Sequence, residues 1–324
     1  MRMEQFYNLI GSEMKAVDTV IRERLHSEVV LVRQVAEYIV QGGGKRLRPA
    51  LVLLSAGAMA YRGSDHHQLA AVIEFIHTAT LLHDDVVDAS HLRRGRQTAN
   101  AMFGNSASVL VGDFLYSRAF QMMVGVNDMR IMRVLSDATN VIAEGEVLQL
   151  MNCHDADLDE AGYLQVIRYK TAKLFEAAAQ IGAIIGGASM AIEQAMAIYG
   201  VHLGTAFQLI DDVLDYSGAE LETGKHLGDD LAEGKPTLPL IFVLQNGNAE
   251  QAASVRRAIE NEDGGRDDLP EVLAAIRATG ALDYARQKAS AEARCAAEAL
   301  DLLPASQYKD SLLELCLFAV ARSH

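Results

Sequence analysis

The sequence predicts an all-α protein, a single large bundle of about a dozen helices. Three observations lead there. Apolar residues recur at i, i+3 and i+4 through most of the chain, with charges between them. Alternating strand patterns are nearly absent. Half of the 324 residues are hydrophobic, enough apolar surface to offset the entropy of ordering a substantial core. Nothing in the chain reads as a linker, so residues 1–324 are expected to form one domain.

Taken in order, residues 3–25 and 27–40 both carry the helical spacing. The run Gly42-Gly43-Gly44 ends the second of these helices. Lys45-Arg46-Leu47-Arg48 follows, and Pro49 suits the first turn of a helix over 50–60. Basic side chains beside the open N–H groups of a helix start make an anion site. A solvated basic turn is the plain alternative. Residues 61–67 read as a polar loop, and 69–88 as a long apolar helix ending in Asp84-Asp85-Val86-Val87-Asp88. A loop over 90–105 carries Arg93, Arg94 and Arg96. Residues 106–124 and 126–151 are further helices, the second holding Glu144, Glu146 and Gln149. An acidic loop at 152–160 leads into an Ala-rich helix over 162–187 that contains Lys170-Thr171. Residues 191–216 form a second acidic helix, with Gln208 three positions before Asp211-Asp212-Val213-Leu214-Asp215. The segment 217–236 is rich in Gly, Asp and Lys, includes Lys225 and Lys235, and is placed to act as a lid. Helices over 237–244, 271–303 and 306–321 complete the chain.

Composition narrows the function. A net charge of −14, from 29 basic and 43 acidic residues, argues against a nucleic-acid partner. Cys153, Cys295 and Cys316 are odd in number and far apart, which fits reduced thiols in the cytoplasm. The N-terminus is charged and lacks the apolar run of a signal peptide. No apolar run reaches the ~18 charge-free residues of a spanning helix.

The chemistry lies in the aspartates. Asp84 and Asp88 are four apart, one helical turn from each other on one face. His77 shares that stripe to within about 20°. Carboxylates in an apolar helix cost several kcal/mol each unless neutralised, and a divalent cation would do so. The same Asp-Asp-x-x-Asp returns at Asp211, Asp212 and Asp215 in a second apolar helix. Magnesium commonly links one or two carboxylates to substrate phosphates, so the pair of motifs points to a diphosphate. Arg93 and Arg94 suit phosphate oxygens through guanidinium forks, whereas Arg96 reads as a surface residue. Glu74 and His77 also spell the Glu-x-x-His of di-iron bundles, but a second copy is missing.

Five motifs in order carry a family resemblance: Gly43-Gly44-Lys45-Arg46-Leu47-Arg48-Pro49; Leu82-His83-Asp84-Asp85-Val86-Val87-Asp88 with Arg93-Arg94-Gly95; Lys170-Thr171; Phe207-Gln208-Leu209-Ile210-Asp211-Asp212-Val213-Leu214-Asp215; and Gly228-Asp229-Asp230-Leu231-Ala232-Glu233-Gly234-Lys235-Pro236. With these the chain resembles the trans-isoprenyl diphosphate synthases, most clearly from Gly42 to about Leu240. The wording is most similar to bacterial members that make the octaprenyl chain of ubiquinone. The resemblance implies the isoprenoid synthase fold, helices around a central cavity. It implies magnesium-dependent addition of isopentenyl diphosphate to an allylic diphosphate, farnesyl diphosphate among the starters. It implies that Asp84, Asp88 and Asp211 bind two or three magnesium ions, supported by Asp85, Asp212 and Asp215. Arg93, Lys170, Lys225 and Lys235 would contact the allylic diphosphate. Lys45, Arg48, His77 and Arg94 would bind isopentenyl diphosphate, and Thr171 and Gln208 would line the reacting centre. Short-chain members carry bulky aromatics where Ala79 and Thr80 stand, so this chain is expected to make a longer product. Ile76 and Ile73 would line the tunnel wall, with Met122 or Met123 as its floor.

The resemblance also implies a homodimer, for which the helix at 106–124 is an interface candidate, and loose membrane association through an apolar product. Competing readings are a synthase of heptaprenyl, nonaprenyl or decaprenyl length, a terpene cyclase, a non-catalytic synthase subunit and a di-iron protein. The complete second motif and Lys45/Arg48 argue against the cyclase, and the six aspartates against the silent subunit.

Overall fold

The structure, a computed structural model, describes residues 3–42, 44–93, 95–217, 227–261, 265 and 267–322, with residues 3–7 and 41 described by backbone alone. The all-α class holds. In chain order the helices are α1 (Met3–Arg24), α2 (Val30–Gln41), α3 (Leu47–Ala58), α4 (Asp65–Val87), α5 (Ala99–Phe103), α6 (Asn105–Val126), α7 (Met129–Asn152), α8 (Glu160–Ile167), α9 (Lys173–Ile185), α10 (Met190–Asp215), α11 (Asp229–Ala232), α12 (Leu238–Asn246), α13 (Ala249–Glu260), α14 (Leu269–Thr279), α15 (Ala281–Ala299) and α16 (Gln307–Ala321). The chain forms two compact units. Unit 1 comprises Met1–Thr139, Leu174–Gly200 and Ala299–Glu314; unit 2 comprises Asn140–Lys173, Val201–Glu298 and Leu315–His324.

In unit 1 the central helix is α4. Leu69, Val72, Ile73, Phe75, Ile76, Ala79 and Leu82 are all buried, so its apolar residues wrap most of the way round rather than forming one stripe. It packs against α6, α3 and α1. Small residues let α6 lie close: Ser108 Oγ donates to Leu82 O at 2.8 Å, and Gly112 faces the His83 ring. Gln68 Nε2 ties the other end of α4 to Met122 O at 2.7 Å. Helices α3 and α9 meet at Gly182, where an added Cβ would stand 2.6 Å from Ser55 Cβ and 2.7 Å from Val52 O.

In unit 2 the apolar face of α10 (Leu209, Ile210, Val213, Leu214) packs on Tyr163 and Ile167 of α8, Leu238 and Ile241 of α12, and Ala285 and Ala289 of α15. Buried alanines recur every four residues along the first turns of α15, giving a smooth face with little side-chain entropy to lose. A second cluster joins α12, α13 and α14 through Val243, Val255, Ile259, Val272 and Ile276.

Among the described residues, three differences from the sequence expectation bear on the candidate residues. The helix expected over 162–187 is interrupted by a π-helical turn, Arg168–Ala172, closed by Lys173 N–H to Arg168 O. The extra residue in that turn leaves the apolar spacing on either side helical, so periodicity does not register it. The loop expected at 90–105 contains a two-stranded hairpin, β1 (Leu92–Arg93) and β2 (Arg96–Gln97), turned by Gly95 at φ +72°, and then α5. Finally, α4 stops at Val87, so Asp88 is its C-cap rather than a helical residue. The Asp88 N–H still bonds Asp84 O at 2.8 Å, which keeps the two aspartates one turn apart.

A side chain at Gly182 has no room, because one neighbour is backbone. Gly182→Val is expected to destabilise the chain by about 1–3 kcal/mol through overpacking, read as a lower urea midpoint at unchanged m-value.

Candidate active site

In unit 1 the candidate residues lie at the start of α3 and the end of α4. Arg46 precedes α3 with φ +42°, and its guanidinium is tied to Asp18 of α1 and lies 3.9 Å from Glu74 of α4. The middle cation of the basic run is thus spent on holding the turn. Lys45 is exposed beside it. Arg48, the second residue of α3, lies 4.5 Å over the Phe175 ring, and its Nη1 comes within 3.2 Å of His77 Nε2. Two residues nominated from separate motifs, 29 positions apart, therefore touch.

At the other end of α4, Asp84 and Asp88 are half-buried, while Asp85 turns inward and is fully buried. Arg93, delivered by the hairpin, binds it through Nε at 2.8 Å and Nη2 at 2.7 Å. Both contacts fall on Oδ1; the buried Oδ2 has no hydrogen-bond partner among the described residues. Burial raises the Asp85 pKa, and the Arg93 charge opposes that rise. The hairpin is held by Asn100, whose Nδ2 donates to Asp85 O at 3.0 Å and Ser90 O at 3.2 Å.

In unit 2 a separate group of candidate residues lies on α7, α8, the π turn, α10 and the segment around α11. The π turn presents Lys170 to Glu146 of α7 at 2.5 Å. Gly145 permits this approach, since a Cβ there would stand 2.7 Å from Lys170 N. Thr171 Oγ1 donates to Gln208 Oε1 at 3.0 Å, and Gln208 Nε2 donates to Asp212 Oδ1 at 2.8 Å. Tyr163 Oη donates to the other oxygen, Asp212 Oδ2, at 2.5 Å. Asp212 is 3 % exposed, and its pKa is pushed up to about 8 by burial and then by the charge of Asp230, against the pull of the two donors. Asp215 is also buried and accepts from Asp230 N–H at 3.2 Å. Asp211 is the accessible member, 35 % exposed at the side chain. Arg322, beyond the end of α16, lies 2.7 Å from it and 4.2 Å over the Phe207 ring. Lys235 rests on Glu233 at 2.5 Å.

The two motifs thus divide their aspartates alike. In each, the second aspartate is buried and bonded inside the protein, and the first stays accessible. Asp84, Asp88 and Asp211 offer oxygen donors only, the chemistry that hard divalent cations take. Arg94 and Lys225 lie outside the described residues, as do 218–226 of the segment expected to form a lid. Sequence reasoning did not reach Tyr163, Gly145 or Arg322. Tyr163 and Arg322 act across long separations that no local pattern marks; Gly145, a glycine inside a helical pattern, was a legible sign of close approach.

A family model described as polyprenyl synthetase matches residues 29–276. The chain is 52% identical over 322 residues to the octaprenyl diphosphate synthase of Escherichia coli (strain K12), covering 99% of each chain. It is 46% identical over 314 residues to a geranyl-diphosphate-specific all-trans-nonaprenyl-diphosphate synthase of Rhodobacter capsulatus, covering 97% of this chain and 96% of that one. Among solved structures, a polyprenyl synthase from Caulobacter crescentus CB15 complexed with calcium and isoprenyl diphosphate matches with a TM-score of 0.96 at 43% identity, covering 100% of this chain and 98% of that one.

The Asp212 network makes two predictions. Tyr163→Phe leaves a buried carboxylate one donor short and is expected to cost about 1–3 kcal/mol of stability in urea. Because the folded-state pKa of Asp212 is raised to about 8, the folded chain holds a proton that the unfolded chain releases near pH 4. Its contribution is fully present below that lower value and is lost as pH rises towards 8. Asp212→Asn should therefore raise the Tm of metal-free protein more at pH 9 than at pH 5, checked by calorimetry.

Proposed function

The chain belongs to the polyprenyl synthetase family and is a prenyltransferase, and we propose that it extends farnesyl diphosphate with isopentenyl diphosphate to octaprenyl diphosphate for the ubiquinone side chain. The observation that carries the site assignment is the division within each motif: a second aspartate buried in the protein, and a first one partly exposed. The family match runs through residues of both units, which supports reading 1–324 as one synthase domain.

In this reading Asp84, Asp88 and Asp211 hold two or three magnesium ions, and Asp85, Asp212 and Asp215 support them. Magnesium, when bound, supplies positive charge to a departing diphosphate. The remaining work falls to side chains of the protein. Arg93, Lys170 and Lys235 add fixed positive charge around the allylic diphosphate, where charge grows as the C–O bond breaks. Lys45, Arg48 and His77 seat isopentenyl diphosphate, the last two as one contacting pair. Arg94 and Lys225, outside the described residues, join these sets on the resemblance alone. Thr171 and Gln208 border the reacting carbons, fixed by their mutual bond and by Asp212. The isopentenyl double bond attacks the allylic cation, and a proton then leaves, taken by the released diphosphate. Water has to be kept out, because it would trap the cation.

Ala79 and Ile76 are fully buried on α4, with Thr80 beside them, its hydroxyl bonded to His77 O at 2.8 Å. Ile73, Met122 and Met123 are also buried. We assign Ala79, Thr80, Ile76 and Met123 to the control of product length. Each added isoprene unit needs about one helical turn, ~5.4 Å, of extra room. The outer flank of α6 leaves Leu110, Phe120 and Val124 exposed, an apolar face suited to a homodimer. The three cysteines form no disulfide, which supports a cytoplasmic setting. Among the described residues no helix is long and apolar enough to cross a membrane.

Purified protein given farnesyl diphosphate, labelled isopentenyl diphosphate and magnesium is expected to yield one forty-carbon product after dephosphorylation. Another single length, such as the nonaprenyl of the Rhodobacter relative, would keep the reaction and replace the product; no product would remove the enzymatic reading. Thr80→Phe is expected to shorten the product, and an unchanged chromatogram would take Thr80 out of length control. Light scattering should show a dimer that Leu110→Arg converts to monomer.

A further inference from the structure

A second cluster of metal-ligating side chains stands apart from both aspartate motifs. Glu13 on α1 meets His66 and His67 in the first turn of α4. His66 Nε2 lies 3.2 Å from Glu13 Oε2, and His67 Nε2 is also in contact with that oxygen. One ligand atom from each of the three residues lies within 4.8 Å of the other two. Successive helical residues point about 100° apart, so two neighbouring histidines ordinarily diverge. Here both rings turn to one carboxylate and lie against each other, centroids 4.0 Å apart. His66 is 9 % exposed, and the Tyr61 ring abuts it edge-on at 5.2 Å. Its Nδ1 is buried with no hydrogen-bond partner among the described residues.

From this geometry we propose that Glu13, His66 and His67 form a binding site for a borderline divalent transition metal, zinc being the fitting ion. Two imidazoles and one carboxylate are a zinc set, with a fourth position left for water. Donors about 2.1 Å from a tetrahedral ion stand about 3.4 Å from one another, close to the 3.2 Å that His66 and Glu13 already have. The closer His67–Glu13 contact would open to admit the ion.

The donor chemistry separates this site from the aspartates. Imidazole favours zinc, copper and nickel, whereas carboxylates alone suit magnesium. Asp65, one residue before His66, adds negative charge nearby, and its carboxylate accepts from Tyr61 Oη at 3.5 Å. The ion would staple α1 to the start of α4. Asp84 sits 17 residues further along α4 than His67, about 25 Å at 1.5 Å per residue, so the site is no part of the diphosphate chemistry.

The test uses metal-stripped, full-length protein in millimolar magnesium, so that the aspartates are occupied, with zinc added alone. Wild type is expected to retain one zinc per chain through gel filtration and to gain Tm with zinc. Replacing zinc with cobalt should give visible d–d absorption of a low-symmetry N/O site. Glu13→Gln and His67→Asn are expected to weaken zinc binding by at least about a hundredfold, more than loss of an outer-shell partner costs. Their magnesium-dependent turnover should be unchanged, which certifies the fold. Equal zinc retention by wild type and His67→Asn would overturn the proposal, since the ion would then sit elsewhere. Absence of zinc from wild type in the same buffer would overturn it as well.

Discussion

The structure depends on how it tolerates carboxylates inside apolar helices. Asp85 and Asp212 occupy positions where a hydrophobic residue would serve stability better. Each is kept by a different device. Asp85 is matched by a full charge, the Arg93 guanidinium brought in by the hairpin at Leu92–Gln97. Asp212 is matched by neutral donors, a tyrosine hydroxyl and a glutamine amide. Charge matching favours the ionised form, whereas neutral donors under heavy burial leave the proton in place at neutral pH. The two motifs spell the same pattern and meet the burial of their second aspartate with different partners.

Cations around these motifs are committed before any phosphate arrives. Lys170 rests on Glu146, Lys235 on Glu233, Arg93 on Asp85 and Arg322 on Asp211. In a chain of net charge −14 this pairing limits unselective attraction of anions. In the proposed reading a diphosphate would have to offer each cation more than its resting carboxylate does, as a ligand with several oxygens can. Specificity then follows from exchange of partners rather than from a standing excess of positive charge.

Much of this was legible in the sequence. The helical class and the two acidic helices follow from periodicity and spacing, which local residues determine. Helix ends were less legible: Val87 closes α4 one residue earlier than the apolar run suggests, because Asp88 and Ala89 leave helical geometry. Partners across long separations were not legible at all. Tyr163 reaches Asp212 over 49 residues, and nothing near either residue marks the bond. The hairpin was hidden by its size, since two-residue strands carry no alternation to read.

The π turn at Arg168–Ala172 gives the fold an unusual kind of information. An ordinary helical turn would rotate Lys170 and Thr171 by roughly 100° for each residue added or removed. Their aim towards Glu146 and Gln208 is therefore encoded in how many residues the turn holds, as well as in which ones. Substitution libraries hold that number constant and pass over it. Single-residue insertions and deletions along 160–173 sample it directly, so the segment is a place where evolution can retune a reacting centre without altering one amino acid in contact with it.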